Sequence, residues 1–298
     1  MKILIFVGKG GVGKSTSSAL FAVKLAKSGK KVILNSIDPA HNLHDIFQMP
    51  LGPKPKQIFP NLSAMETDLN QWVKRYLKST EKEFKSVYRY QEAFNLHKYF
   101  KTLKYSPGLE EYAVLLALVD TIDRHKNKDY IIFDTPPTAL TLKFLALPDV
   151  SLLWLQELTR FRQLILDKKE IITRIKRGKK GEAVAGDQIL AKIESLVSNY
   201  RNLACLFKSP GTTRVFLVLN PDKLSLAESL TIWQELKGLK ISIPFLILNK
   251  CGEDEGFVRI LEKEFQGRKI LKVYEQREEV TGIEMLEAID LPIKISEI

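Results

Sequence analysis

Cysteine is scarce: Cys205 and Cys251 stand far apart, and no Cys-x-x-Cys occurs. Zinc and a disulfide framework are therefore not expected, and the composition suits a reduced, cytoplasmic setting. Long apolar stretches are also missing, since no run approaches the roughly 18–20 residues that span a bilayer. The opening "MKILIFV" lacks the longer apolar region and small-residue cleavage site of a signal peptide, so it reads as a first strand. Acidic residues are in deficit, 35 against 46 Lys and Arg, for a formal charge of +11. That excess leaves an anionic partner open beside the commoner explanation, solvated lysine-rich faces. What is present is a chain of 298 residues, 45% hydrophobic, long enough for one large or two ordinary domains with a substantial core.

Strand-like runs are "KILIFV", "KVILNSID", "YIIFDT", "TRVFLVLN" and "IPFLILN". Their near-continuous Ile, Val, Leu and Phe content fits strands buried on both faces. Helical segments alternate with them from Ser15 onward, which predicts an α/β, doubly wound, mostly parallel sheet. Each run ends in polar residues or glycine, where such sheets place ligands. Two stretches break the alternation. In 66–105, Trp72, Tyr76, Phe84 and Tyr88 mark one helix face; in 151–205, Trp154, Leu158, Phe161 and Ile165 do likewise. "RIKRGKKGEAVAG" interrupts the second with charge and glycine and predicts a loop. The expected organisation is a nucleotide-binding domain of residues 1–65, 106–150 and 206–298, carrying a helical subdomain of 66–105 and 151–205.

"KILIFV" leads into Gly8-Lys9-Gly10-Gly11-Val12-Gly13-Lys14-Ser15-Thr16 and then a helix, the context a P-loop requires. Glycines let successive N–H groups turn toward phosphate oxygens, and the helix N-terminus adds its positive end. Lys14 is expected at the β- and γ-phosphates of a nucleotide. The Ser15 hydroxyl is expected on Mg²⁺, a hard ion that favours oxygen. The motif needs one lysine, yet Lys9 supplies a second on the loop's rim; a solvated surface lysine is the plain reading.

"KGGVGKST" resembles the deviant Walker A of a P-loop ATPase superclass that includes partition, septum-site, nitrogenase iron-protein and arsenical-pump ATPases. That resemblance implies that Lys9 crosses a dimer interface to the partner's phosphates and neutralises transition-state charge, as an arginine finger does. "DPAHNLHDIF", Asp38 to Phe47, resembles the first switch of the arsenical-pump and tail-anchored-protein-targeting ATPases, Asp-Pro-Ala-His-Asn-Leu-Ser-Asp-x-Phe. "DTPPTALTLKFLALP", Asp134 to Pro148, resembles their second switch, and weaker matches follow in "LNPDKLSLAES", "LILNKCGED" and "REEVTGIEML".

The resemblance implies roles by position. Asp38 orients the attacking water, Asn42 lies in the same switch, and Asp134 binds Mg²⁺ through water; a helix N-cap shared with Thr135 is the alternative for Asp134. Asn249 reads adenine. Asp222 stands where the family has a glutamate near the nucleotide. "NK" at 249–250 invites a guanine reading, but Gly252 occupies the position of the aspartate that motif needs, so ATP is expected. The chain departs from the family at Ala139 and Leu140, in place of glycine and histidine, and at His44, in place of serine; His44 is read as a surface or interface residue.

The implied activity is that of a homodimeric, Mg²⁺-dependent ATPase serving tail-anchored clients, with transmembrane helices and a membrane receptor as partners. Arsenite efflux, which uses cysteine thiolates, is poorly served by two isolated cysteines. Methionine-rich client grooves of eukaryotic members have no counterpart here, since Met1, Met49, Met65 and Met285 all lie outside both insertions. A different class stays open. Lysines and arginines between Leu69 and Tyr105 are interleaved with Trp72, Tyr76, Phe84, Tyr88, Tyr90, Phe94, Tyr99 and Phe100. Such a mixture suits nucleic acid or an anionic membrane, as in partition and septum-site relatives.

Overall fold

The computed structural model describes residues 1–40, 42–87, 106–177, 187–252 and 255–298. The larger of its two compact units comprises Met1–Phe144 and Pro210–Ile298. Its elements are β1 (Lys2–Val7), α1 (Lys14–Lys27), β2 (Val32–Ser36), α2 (Leu43–Phe47), β3 (Lys56–Phe59), β4 (Leu62–Glu66), α3 (Leu69–Val87), α4 (Leu109–Arg124) and β5 (Tyr130–Asp134). After the start of α5 (Thr138–Arg177) the unit resumes with β6 (Thr213–Leu219), α7 (Lys223–Gly238), β7 (Phe245–Cys251), α8 (Gly256–Glu264), β8 (Lys269–Tyr274) and α9 (Gly282–Ala288).

The strands form one 8-stranded sheet in the order β3-β4-β2-β5-β1-β6-β7-β8. All neighbouring pairs are parallel except β3–β4. β2 and β5 are buried at every position, as strands covered on both faces must be. Register places Phe6, Phe216 and Phe245 side by side across β1, β6 and β7. Their rings stack at 5.0 Å for each neighbouring pair, and Phe21 of α1 meets Phe6 and Phe216 edge-on. This aromatic row clamps α1, and therefore the loop before it, onto the centre of the sheet.

The five expected strands are present, and β3, β4 and β8 join them. β3, "KQIF", opens with two exposed polar residues at one edge, and β8, "KILKVY", is interrupted by Lys269 and Lys272 at the other, so neither has the apolar run of a central strand. The first insertion differs from its expected grouping with 151–205. Its described part, α3, packs on α4 through Val73, Leu109 and Ala113, with Trp72 and Tyr76 against them. Burying that face against α4 places α3 in the larger unit.

The second unit is Leu145–Ser209, made of the rest of α5 and of α6 (Gln188–Lys208). Pro148 lies inside the 40-residue α5 and cannot donate to the carbonyl of Phe144, so the helical ladder is interrupted where the units divide. Asp187 caps α6 by accepting from the Leu190 N–H at 2.7 Å, and Arg162 of α5 donates to both of its carboxylate oxygens. Lys208 and Asp149 pair at 2.7 Å. The expected face of Trp154, Leu158, Phe161 and Ile165 is largely exposed, Trp154 at 69% and Phe161 at 63%.

Among the described helices, α5 is long and apolar enough over Thr138–Lys169 to cross a membrane by length and composition alone. No uninterrupted apolar run exists there, because Lys143 and Asp149 fall within it. Each is paired, Lys143 with Glu111 at 3.2 Å and Asp149 with Lys208.

Candidate active site

The C-terminal ends of β1, β2, β5, β6 and β7 deliver the loop Gly8–Gly13, Asp38, Asp134, Asn220 and Asn249 to one edge of the sheet. The chain leaves β1 toward β2 on one side and leaves the adjacent β6 toward β7 on the other, so the crevice between their ends is where such sheets bind ligands. The loop's glycines have separate steric reasons. A side chain at Gly8 would place its Cβ 2.3 Å from the Val218 carbonyl oxygen, so β6 approaches the loop too closely for any other residue. Gly13 has φ +90°, and a Cβ there would lie 2.3 Å from the Asn249 amide nitrogen.

Gly10 and Gly11 are exposed, Val12 is buried in the core, and Ser15 and Thr16 open α1 at the loop's end. Lys14 is 6% exposed and donates from its ammonium to the Lys9 carbonyl at 3.1 Å, so it folds into the loop's interior. Burial lowers its pKa, while Asp134, Asp38 and Glu228 favour the charged form. Lys9 is half-buried on the rim.

Asp134 ends β5 wholly buried, and its pKa is pushed up to about 6. Burial is the main cause; the Ser15 hydroxyl bond counters it, the Asp38 charge adds to it, and Lys14 and Ser36 counter it further. Among the described residues the Asp134 Oδ1 has no hydrogen-bond partner. A buried carboxylate oxygen without a partner, with a serine hydroxyl on the same carboxylate, is a hard-oxygen donor set that fits Mg²⁺. Asp134 caps no helix, for α5 begins at Thr138, and the Thr135 hydroxyl donates to the Phe6 carbonyl at 2.6 Å.

Ser36 connects the two switches. Its hydroxyl donates to Asp134 Oδ2 at 3.1 Å and accepts from the Asp38 N–H at 3.3 Å. Asp38 is 8% exposed, and its Oδ1 accepts from the Ala40 N–H at 3.0 Å. Asn42 is exposed at the N-terminus of α2 with no capping bond from its side chain. His44 is about half exposed, with its ring against Asp45 and Glu66. Ala139 takes ordinary helical backbone in the first turn of α5, so the positive φ that glycine would permit is not used here.

Asn249 holds the loop from the far side, donating to the Val12 carbonyl at 2.9 Å. It lines a cavity of about 460 Å³ with Gly13, Thr16, Tyr274, Arg277 and Val280. That volume suits a nucleoside. Asp222 accepts at its Oδ1 from the Ser225 N–H at 2.8 Å and so caps α7. Sequence reasoning misses Ser36 and the cavity wall at 273–280. Ser36 carries one signal, a hydroxyl beside Asn35 at the polar end of a wholly buried strand. A second cavity, of about 500 Å³, is lined by Trp233, Lys237, Lys240, Ile243, Lys263 and Arg268. It lies at the opposite ends of β7 and β8, where the carbonyl ends of α7 and α8 offset the lysine charge.

The anion-transporting ATPase family matches residues 1–294 of the chain. A provisionally named arsenical pump-driving ATPase 2 from Aquifex aeolicus is 32% identical over 301 residues, covering 96% of this chain and 97% of the relative. ATPase get3 of Schizosaccharomyces japonicus is 33% identical over 306 residues, covering 95% and 89%. ATPase ASNA1 homolog 1 of Paramecium tetraurelia is 32% identical over 249 residues, covering 83% and 74%. With its phosphate loop at the crevice of a parallel sheet, the chain belongs to the anion-transporting ATPase family and is an ATPase.

Proposed function

We propose that the chain is a homodimeric, Mg²⁺-dependent ATPase that shields the transmembrane helix of tail-anchored clients and delivers them to a membrane receptor. The observation that carries the client part is the exposed apolar face of α5. Leu153, Trp154, Leu158, Phe161 and Leu164 recur at helical spacing and are all exposed. Contiguous apolar surface of this kind marks an interaction site, and a hydrophobic helix is the partner that buries it. Thiolate capture of metalloid is less well served, since burial raises the Cys251 thiol pKa and so disfavours the thiolate. A nucleic-acid surface on 66–105 has less support, because Trp72 and Tyr76 are partly buried against α4. The Phe84 side chain and Tyr88, Tyr90, Phe94, Tyr99 and Phe100 lie outside the described residues.

In this reading the N–H groups of Gly10 to Gly13 bind the phosphates and Lys14 neutralises the β- and γ-phosphate charge. Ser15 and Asp134 hold Mg²⁺, which supplies charge compensation on the phosphate oxygens. Asp38 orients the water for in-line attack, and Asn42 supports the same switch. Lys9 of each protomer reaches the other's phosphates in the closed dimer. Asn249 and the 460 Å³ cavity take the adenosine. Closing on ATP forms the client surface, and phosphate release relaxes it; the nucleotide drives this only by binding the two states unequally.

The test co-expresses Asp38→Asn with a protein bearing a C-terminal transmembrane helix, purified with ATP and Mg²⁺. A soluble complex is expected, and it disappears when that helix is made polar or when Leu158 and Phe161 are changed to Asp. If nothing copurifies while ATP still closes the dimer, the client role fails and the ATPase stands.

A further inference from the structure

Glu228 lies in the stretch "LNPDKLSLAES", whose resemblance gives it no role. It lies on α7, partly buried, and its carboxylate accepts a hydrogen bond from the Thr138 hydroxyl, 90 residues away. Thr138 opens α5 and follows Asp134 after only Thr135, Pro136 and Pro137. That connection is stiff. Both prolines fix φ, the Thr135 hydroxyl is tied to the Phe6 carbonyl, and the Thr141 hydroxyl donates to the Pro136 carbonyl at 2.7 Å. A displacement of Thr138 is therefore passed toward Asp134 rather than absorbed.

The other end of the link is equally anchored. Asp222 caps α7, and the Ser225 hydroxyl accepts from the Asn220 N–H at 3.0 Å, which fixes the helix to the end of β6. The Glu228 charge, with those of Asp134 and Asp38, also favours the charged form of Lys14. A carboxylate acceptor makes a stronger bond than a neutral one.

We infer that Glu228 is a positioning residue for ATP hydrolysis: by holding Thr138 it fixes the start of α5 and, through the proline-stiffened connection, the Asp134 carboxylate. It touches no phosphate and acts through Thr138. A misplacement of about 1 Å at a catalytic group costs up to about 10²-fold in rate, so loss of one tether among several is expected to cost about tenfold.

Steady-state ATP hydrolysis tests this with Glu228→Ala, Glu228→Gln, Thr138→Val, Thr138→Ser and the double Glu228→Ala, Thr138→Val. We expect kcat to fall about tenfold in Glu228→Ala and in Thr138→Val, with KM unchanged within about twofold, and the double variant to fall no further, because both remove one interaction. Glu228→Gln keeps an acceptor and Thr138→Ser keeps a donor, so both should hold kcat within about threefold of the parent. Multiplying effects in the double variant overturn the inference. So do an unchanged or raised kcat in Glu228→Ala, a change confined to KM, or a Glu228→Gln as impaired as Glu228→Ala. If Glu228→Ala fails to fold, the contrast between Thr138→Val and Thr138→Ser decides by the same criteria.

Discussion

Lys14 is the residue whose environment makes the sharpest demand. It is nearly buried and tied to a loop carbonyl, with three carboxylates favouring its charge. Lys14→Ala should abolish tight ATP binding in calorimetry, because the loop's other lysine, Lys9, stands on the rim. Lys9 differs in kind, since it is half-buried there with its backbone carbonyl engaged by Lys14. Lys9→Ala should bind ATP with affinity near the parent and lose roughly 10³-fold in turnover, as finger residues do. Near-normal turnover by a phosphate-release assay would remove the role in trans. At this scale much was legible, because a P-loop lysine, hydroxyl and glycine spacing encode their own geometry. Asp222 shows the limit: an aspartate just before a helix suits a cap as well as a ligand, and its Oδ1 accepts from the Ser225 N–H.

At the scale of elements, α6 depends on the residue that caps it. Asp187 accepts from the Leu190 N–H and receives a two-pronged bond from Arg162, and the Arg162 fork, ahead of the backbone bond, holds its pKa at about 2 against the ordinary 3.8. The folded value is depressed, so this carboxylate stabilises the second unit above the ordinary 3.8 and its contribution is lost as pH falls through about 2. A carboxyl NMR titration of Asp187 should show a midpoint near the depressed value, and Arg162→Ala should move it up toward the ordinary range. The same element scale explains what periodicity revealed and what it did not. Trp154, Leu158, Phe161 and Ile165 mark a helix face by spacing alone, yet spacing cannot say whether a face is covered. On α3 the analogous residues Trp72 and Tyr76 are partly buried against α4; on α5 they are open.

For the whole molecule the proposed dimer is the decisive matter. Asp38→Asn keeps the loop and Lys14, so with ATP and Mg²⁺ it should accumulate as a dimer in sedimentation velocity, while ADP should leave a smaller share associated. Equal association with either nucleotide would sever closing from hydrolysis. The sequence by itself determined the family, the doubly wound sheet and the phosphate loop, because these rest on local patterns: buried strand runs, glycine spacing and a helix start. Only the tertiary structure decided that α3 belongs with the larger unit, that Ser36 joins Asp38 to Asp134, and that Thr138 meets Glu228. Those pairings join residues from different strands and helices. They are set by how β2, β5 and α7 lie side by side, which no spacing within one segment records.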